Sequence, residues 1–215
     1  ESSALRQGNM IRSLAFCSYS NQVMVIRYES QKRRKLDLRF SFAIQRKEDV
    51  ISVGNEGLSL YSCLKNGLEC QTEVKVLHEG GELVADKEGL QLKNADNCTL
   101  LVFIATNYEM DAAQKFRGIP AEERLKQQMA KTAALPYAKL LKNHLSDYQS
   151  LYQRQELNIA HTADSLDTLP TARRLEGYRK SHTDNGLEEL VFRFGRYLMI
   201  QTSRPGSLPA GLQGI

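Results

Sequence analysis

The sequence predicts an antiparallel β-sandwich followed by an α-helical segment, and three observations carry that prediction. Between Met10 and Thr106 short apolar runs alternate with polar residues and are split by Gly, Asn and Asp. These runs recur at roughly 8 to 12-residue spacing with no helix-length interruption, which is the rhythm of a sandwich. After Gly118-Ile119-Pro120 the apolar period changes from two to between three and four.

The strands justify themselves in order. Gln22 to Tyr28 (QVMVIRY) is rich in β-branched residues, and Leu36, Leu38, Phe40, Phe42 and Ile44 alternate with polar or small neighbours, which marks one face of a half-buried strand. Further strands are expected over 57–64, 70–78, 82–85, 89–93 and 98–105. Turn chemistry separates them: Gly54-Asn55-Glu56-Gly57, Asn66-Gly67, Gly80-Gly81 and Asn94-Ala95-Asp96-Asn97. The basic run Lys32-Arg33-Arg34-Lys35 reads as a solvated hairpin tip, because no aromatic platform or glycine-rich loop accompanies it.

Helix signals follow. Pro120 suits the first turn of a helix over 121–134, rich in Ala, Glu, Lys, Gln and Leu. After Pro136, Tyr137, Leu140, Leu141, His144, Leu145, Tyr148, Leu151 and Tyr152 share one helical face, a packing face. Residues 158–168 are polar and breaker-rich, a connection. Pro170 opens a short helix to about Lys180, and Leu187, Leu190, Val191, Phe194, Tyr197 and Leu198 define another amphipathic helix ended by Pro205 and Gly206.

Composition bounds the function classes. The 215 residues are 41% hydrophobic and 25% charged, with a net charge of +4, so the chain should fold, and the charge excess points to no nucleic-acid partner. The longest apolar run, Leu100 to Ala105, is strand-sized, and no membrane span is expected. No signal peptide is visible at Glu1-Ser2-Ser3-Ala4. Cys17, Cys63, Cys70 and Cys98 lack C-x-x-C spacing and read as buried free thiols, with a Cys63–Cys70 disulfide left open. His78, His144, His161 and His182 form no H-x-H or H-E-x-x-H arrangement, so no metal site or cofactor is expected; His144 reads as a packing histidine.

Three stretches carry a resemblance. Phe194 to Ile215 (FGRYLMIQTSRPGSLPAGLQGI) resembles the signature G-R-Y-L-L-I-x-S-S-R-P-G-x-L-P-A-N-L-Q-G of the family 95 α-L-fucosidases. His144 to Tyr152 (HLSDYQSLY) is similar to that family's H-x-x-D-Y-Q-x-L-F helix, and Phe16 to Arg27 (FCSYSNQVMVIR) to its F-A-S-x-P-D-Q-V-x-V-x-R strand pair. Ser20-Asn21 stand where the pattern has Pro-Asp, and Gly211 where it has Asn.

The resemblance implies an internal piece of a bacterial glycoside hydrolase, with an N-terminal β-sandwich in 1–109, a helical linker in 110–163 and the start of an (α/α)6 barrel in 164–215. It implies inverting hydrolysis of terminal α-L-fucosides, typically α-1,2-linked, on a fucosylated glycan. Close alternatives are an α-L-galactosidase or a non-catalytic carbohydrate-binding module; the absence of Trp weakens the last. A periplasmic or secreted location follows from the same resemblance. Its catalytic Glu, and the Asn and Asp that activate water, are expected beyond Ile215, so no catalytic residue is assigned here.

An inverting glycosidase needs two carboxyl groups roughly 6.5 to 9.5 Å apart. The adjacent pairs Glu122/Glu123 and Glu188/Glu189 diverge around their helices and read as solvated faces, while Asp164 and Asp167 are placed to cap the Pro170 helix. Arg204 and Gln213 are the substrate-binding candidates, because loops after barrel helices line sugar pockets. For Arg204, an ion pair that shapes its loop is the competing reading. Tyr197 stands between core residue and sugar platform.

Overall fold

The computed structural model describes residues 2–6, 8–44, 46–159, 164–205 and 209–211. The chain divides into two compact units, Glu1–His144 and Leu145–Ile215.

The first unit holds strands β1 Ser2–Arg6, β2 Asn9–Ser18, β3 Val23–Ser30, β4 Leu36–Phe40, β5 Val50–Val53, β6 Gly57–Cys63, β7 Glu69–Asp86 and β8 Gly89–Thr106. They form one antiparallel eight-stranded sheet in the order β1-β2-β3-β8-β7-β6-β5, with β4 also on β8. Two of the expected turns do not separate strands. Gly80-Gly81 and Asn94 to Asn97 lie inside β7 and β8, each 18 residues long, and shift their register between Glu79 and Gly80. Residues able to take positive φ serve a bulge as well as a turn: φ is 67° at Gly80, 69° at Gly81 and 53° at Asn94. A Cβ on Gly81 would lie 2.2 Å from the Lys93 carbonyl oxygen and 2.7 Å from the Ala95 nitrogen, so only glycine fits there.

The bend runs across a third strand. β3 pairs with β8 over Asn97 to Val102 and β4 over Leu90 to Ala95, so the two follow one another along the same edge. The basic run between them is therefore an exposed excursion at the bend and not a hairpin tip. Asp96 accepts the Arg34 amide at 2.7 Å, and Asp37 accepts the Asn94 amide at 2.8 Å. Asn9, buried at the neighbouring corner, donates to Ser30 Oγ and the Lys35 carbonyl and accepts from the Lys32 amide. These bonds satisfy backbone groups that the interrupted ladder leaves without strand partners.

Bending gives the sheet two cores. Leu58, Val74, Val76, Cys98 and Leu100 pack with Leu36, Leu90 and Leu92 from the far side of the bend. The alternate residues Phe16, Val23, Val25, Leu101, Phe103 and Ala105 pack against Leu125 and Leu140 of helices α1 Ala121–Thr132 and α2 Tyr137–Tyr152. This period-two division is what the strand alternation demands, and full burial of each Leu contributes about 2 kcal/mol. Polar pins fix the helices: Glu69 accepts the Ala121 amide at 3.1 Å, Thr132 donates to the Asn21 carbonyl at 3.0 Å, and Asn143 donates to the Asn21 side chain at 3.1 Å. Asn21 thus keeps the acceptor that an Asp would supply. His144 stacks on Phe16, centroids 4.7 Å apart, as a packing histidine should.

The thiols depart in part from expectation. Cys98 is buried, and burial pushes its thiol up to about 12, whereas Cys17 and Cys63 are exposed. Cys63 faces Glu69 across the ladder and Cys70 faces Ser62. Offset by one residue, the two sulfurs lie on opposite faces of the sheet, which opposes a disulfide.

In the second unit a 3-10 turn, Asp164–Thr168, leads to α3 Thr171–Ser181 and α4 Asn185–Thr202. Arg174 of α3 forms a buried bidentate pair with Asp184, at 2.9 and 2.7 Å, which holds the guanidinium above its ordinary pKa. Asp184 also caps α4 by accepting the Leu187 amide at 2.9 Å. Pro170 at the start of α3 receives no side-chain cap; Asp167 reaches Arg174 instead, at 3.1 Å, which corrects its expected capping role. Asp164's side chain and His161 lie outside what is described.

Gly81→Ala is expected to destabilise the chain by about 3 kcal/mol or more, through backbone overlap and a strained φ. Gly177→Ala, in α3 with open space around it, should instead stabilise by about 0.5 to 1 kcal/mol. Urea unfolding of both variants checks the pair. In the native state a disulfide-exchange reagent at pH 8 should label Cys17 and Cys63 quickly and Cys98 only after unfolding.

Candidate functional site

The sequence candidates gather where α4 meets the second half of α2. Arg204, just past the end of α4, pairs with Asp147 of α2, their side chains 11% and 23% exposed. Tyr148 meets Tyr197 with ring centroids 6.2 Å apart, and burial raises the Tyr148 hydroxyl pKa. Arg196 lies over the Tyr152 ring at 4.9 Å and donates to the Gln155 carbonyl. The residues of two resemblance stretches, His144 to Tyr152 and Phe194 to Ile215, thus contact one another side chain to side chain. Arg204 takes the ion-pair role, and Gln213 lies outside the described residues.

Two cavities flank Arg196. One, of about 340 Å³, is lined by Tyr152, Gln155, Glu156, Leu157, Phe192 and Arg193 among others; the second, of about 600 Å³, is shallower and more apolar, along Leu151, Val191, Met199 and Pro205. The first has one lining carboxylate, Glu156, and the second has none. In the first unit, a cavity beside His78 has only Glu56, and one beside Tyr137 has only Glu29. None of these four cavities offers the opposed carboxyl pair that water attack on a glycoside with inversion requires.

Three of the paired helix carboxylates have structural partners. Glu122 binds Lys126 at 2.6 Å in an exposed i,i+4 pair, and Tyr178 donates to Glu188 at 2.6 Å, which raises the tyrosine's pKa. Glu189 corrects the expectation of a solvated face. It is buried, accepts the Ile159 amide at 2.6 Å and pairs with Arg193 at 3.0 Å, so it anchors the connection before α3. Among the described residues no group of three or more His, Cys, Asp or Glu could hold a metal ion, and no helix is long and apolar enough to cross a membrane.

α4 also turns a different face inward. Leu187 is buried, but Leu190, Val191, Phe194, Tyr197 and Leu198 remain exposed, while Glu189, Phe192, Arg196 and Ile200 are buried or half-buried. Tyr197 is 44% exposed and touches Tyr148 and Phe194. The helix is held by charge and aromatic contacts on one side, and its apolar stripe has no cover among the described residues.

Comparison with known proteins divides the chain at the same change of period. Residues 4–111 match the model of the glycosyl hydrolase family 65 N-terminal domain, and residues 136–215 that of the glycosyl hydrolase family 95 catalytic domain. The chain is 31% identical over 214 residues to a protein of Aspergillus niger named Probable alpha-fucosidase A, covering 94% of this chain and 27% of that protein. It is 32% identical over 150 residues to Alpha-L-fucosidase 2 of Arabidopsis thaliana, covering 66% of this chain and 17% of that protein. A protein of Aspergillus oryzae, also named Probable alpha-fucosidase A, is 27% identical over 136 residues, 60% of this chain and 19% of its own length. The chain thus spans about a quarter or less of these relatives.

The Arg204–Asp147 pair should couple in a double-mutant cycle. Arg204→Gln and Asp147→Asn are each expected to lower stability, and the double variant to fall short of their sum by about 1 to 2 kcal/mol. Additive losses in urea unfolding would instead free Arg204 for direct substrate contact.

Proposed function

Because the chain belongs to glycosyl hydrolase family 95, with an N-terminal domain of the type described for family 65, we propose that it is part of a longer hydrolase of terminal α-L-fucosides. In this reading 1–109 is the β-sandwich domain, 110–163 the helical linker and 164–215 the opening of an (α/α)6 barrel. The substrate is a fucosylated glycan with an α-1,2 linkage, and hydrolysis inverts the anomeric centre without a metal or other cofactor. A hydrolase acting on such glycans would work in the periplasm or outside the cell.

The observation that carries the reading is the α2–α4 junction, where two stretches resembling this family meet through Asp147–Arg204, Tyr148–Tyr197 and Tyr152–Arg196. Its polar groups are engaged in holding helices together, and no described cavity supplies a carboxyl pair. In this reading the acid and the water-activating groups belong to barrel segments outside this chain. Arg204 acts as a positioning residue that fixes the loop after α4, and Gln213 remains the candidate for a direct contact to a sugar hydroxyl. The exposed apolar stripe of α4 supports the same reading, because a barrel helix buries such a stripe against its neighbours.

The test is hydrolysis of 2′-fucosyllactose by the longer protein and by this 215-residue chain, with the released sugar followed by NMR. The longer protein should release β-L-fucose first and the chain none. Turnover by the chain would place the chemistry within it. If the longer protein is inactive on the fucoside but cleaves the matching α-L-galactoside, the substrate assignment moves to the sugar that carries a hydroxymethyl group at C5, a difference typically worth about 1 to 3 kcal/mol in one pocket.

A further inference from the structure

Past the end of β8 the chain makes a short, tightly bonded hairpin whose purpose its own packing does not explain. Tyr108 bridges Arg117 in antiparallel register, Gly118 donates to the Asn107 carbonyl at 2.8 Å, and Phe116 donates to the Asp111 carbonyl at 2.8 Å. The Asp111 side chain accepts the Ala113 amide at 2.8 Å. Arg117 fastens the base of the hairpin to the β6–β7 turn, giving bonds of 2.8 Å to the Asn66 carbonyl and 3.1 Å to that of Gly67. Glu109 pairs with Arg124 of α1 at 2.9 Å.

At its tip two successive residues with full side chains sit in the left-handed region, Lys115 at φ 52° and Phe116 at φ 59°. For a bulky aromatic residue that conformation is strained, and it persists only where its surroundings impose it. In a core the compensation would be burial of the ring. Phe116 is instead 44% exposed, as is Tyr108, and the two rings lie nearly parallel, 3° apart in tilt with centroids at 6.2 Å. Strain is thus spent on presenting one aromatic ring beside another at the surface, in a hairpin whose residues Asp111, Gln114 and Lys115 are polar and exposed.

We infer that Tyr108 and Phe116 form a stacking platform for a pyranose ring of a glycan, a binding subsite carried by the N-terminal β unit. The choice of a glycan as occupant rests on the fucoside reading above. A galacto-configured pyranose such as L-fucose carries the C–H bonds of C3, C4 and C5 on one face. Those hydrogens meet the negative face of an aromatic ring favourably, and the polar side chains of the hairpin offer donors and acceptors for the sugar's hydroxyls. A rigid platform made before the ligand arrives loses little side-chain freedom on binding, which gives the strain and the cross-bracing by Arg117 a purpose.

The test is titration of the 215-residue chain with 2′-fucosyllactose by saturation-transfer NMR, alongside Phe116→Gly, Tyr108→Ala and, as a control in the second unit, Tyr178→Ala. The parent chain and the control should transfer saturation to ring protons of the sugar, and both platform variants should bind at least tenfold more weakly. Phe116→Gly should at the same time keep or raise the melting temperature, because glycine relieves the strained φ. Equal binding by parent and platform variants, or a Phe116→Gly variant that melts several degrees lower, would overturn the platform. The longer protein separates this inference from the fucosidase reading. Retained glycan binding without hydrolysis sinks only the hydrolase, whereas hydrolysis accompanied by platform variants that bind normally sinks only the platform.

Discussion

The bend across β7, β8 and the β3–β4 edge is the constraint on which the first unit depends. A flat sheet of these strands would leave one apolar face, Leu58, Val74, Val76 and Leu100, open to water. Three local devices prevent that: Gly80 and Gly81 at positive φ, Asp96 accepting the Arg34 amide, and Asn9 bonded at the neighbouring corner. They fold Leu36, Leu90 and Leu92 over that face and leave the opposite face for α1 and α2. The position of α2 against Phe16 and Val25 is thereby a consequence of the sheet's alternation, and the pins from Asn21 set its height.

In the second unit charge does what apolar burial does in the first. Arg174 and Asp184 are both nearly sealed from solvent, and because Asp184 also caps α4, loss of either partner would leave a buried charge and a frayed helix. Glu189 ties down the connection at Ile159, and Arg196 and Arg204 hold α4 on α2. A helix that packs through a mixed side, Leu187, Glu189, Phe192, Arg196 and Ile200, with Val191, Phe194 and Met199 in solvent, is an incomplete layer. That fits the proposal that further barrel helices complete it.

What was legible in the sequence was periodicity. Alternation at Leu36 and Leu38 and the helical spacing of Leu140 and His144 gave the right elements and, for α2, most of the right face, Leu145 being exposed. Gly80-Gly81 and Asn94 read as turns in the sequence because turns and bulges ask the same conformational freedom of a residue; only the pairing of β7 with β8 distinguishes them. The apolar stripe of α4 was legible as well, although such a stripe says that a face wants cover and not that cover is present. Arg174–Asp184 and the burial of Glu189 left no periodic trace; the one available signal was Asp184 at a helix start, which marks a cap. Of the site candidates, the loop position of Arg204 suggests an ion pair, but its partner Asp147 carries no signal beyond its place in a helix pattern.

The most direct measurement is a crystal structure of the longer protein with L-fucose bound. The account predicts that the two carboxyl-bearing or amide groups flanking the anomeric carbon come from segments beyond Ile215, that Arg204 remains paired with Asp147, and that the stripe Leu190, Val191, Phe194 and Leu198 is buried by neighbouring helices. A sugar held between Glu156 and Glu189, or an Arg204 turned from Asp147 onto the fucose, would contradict it.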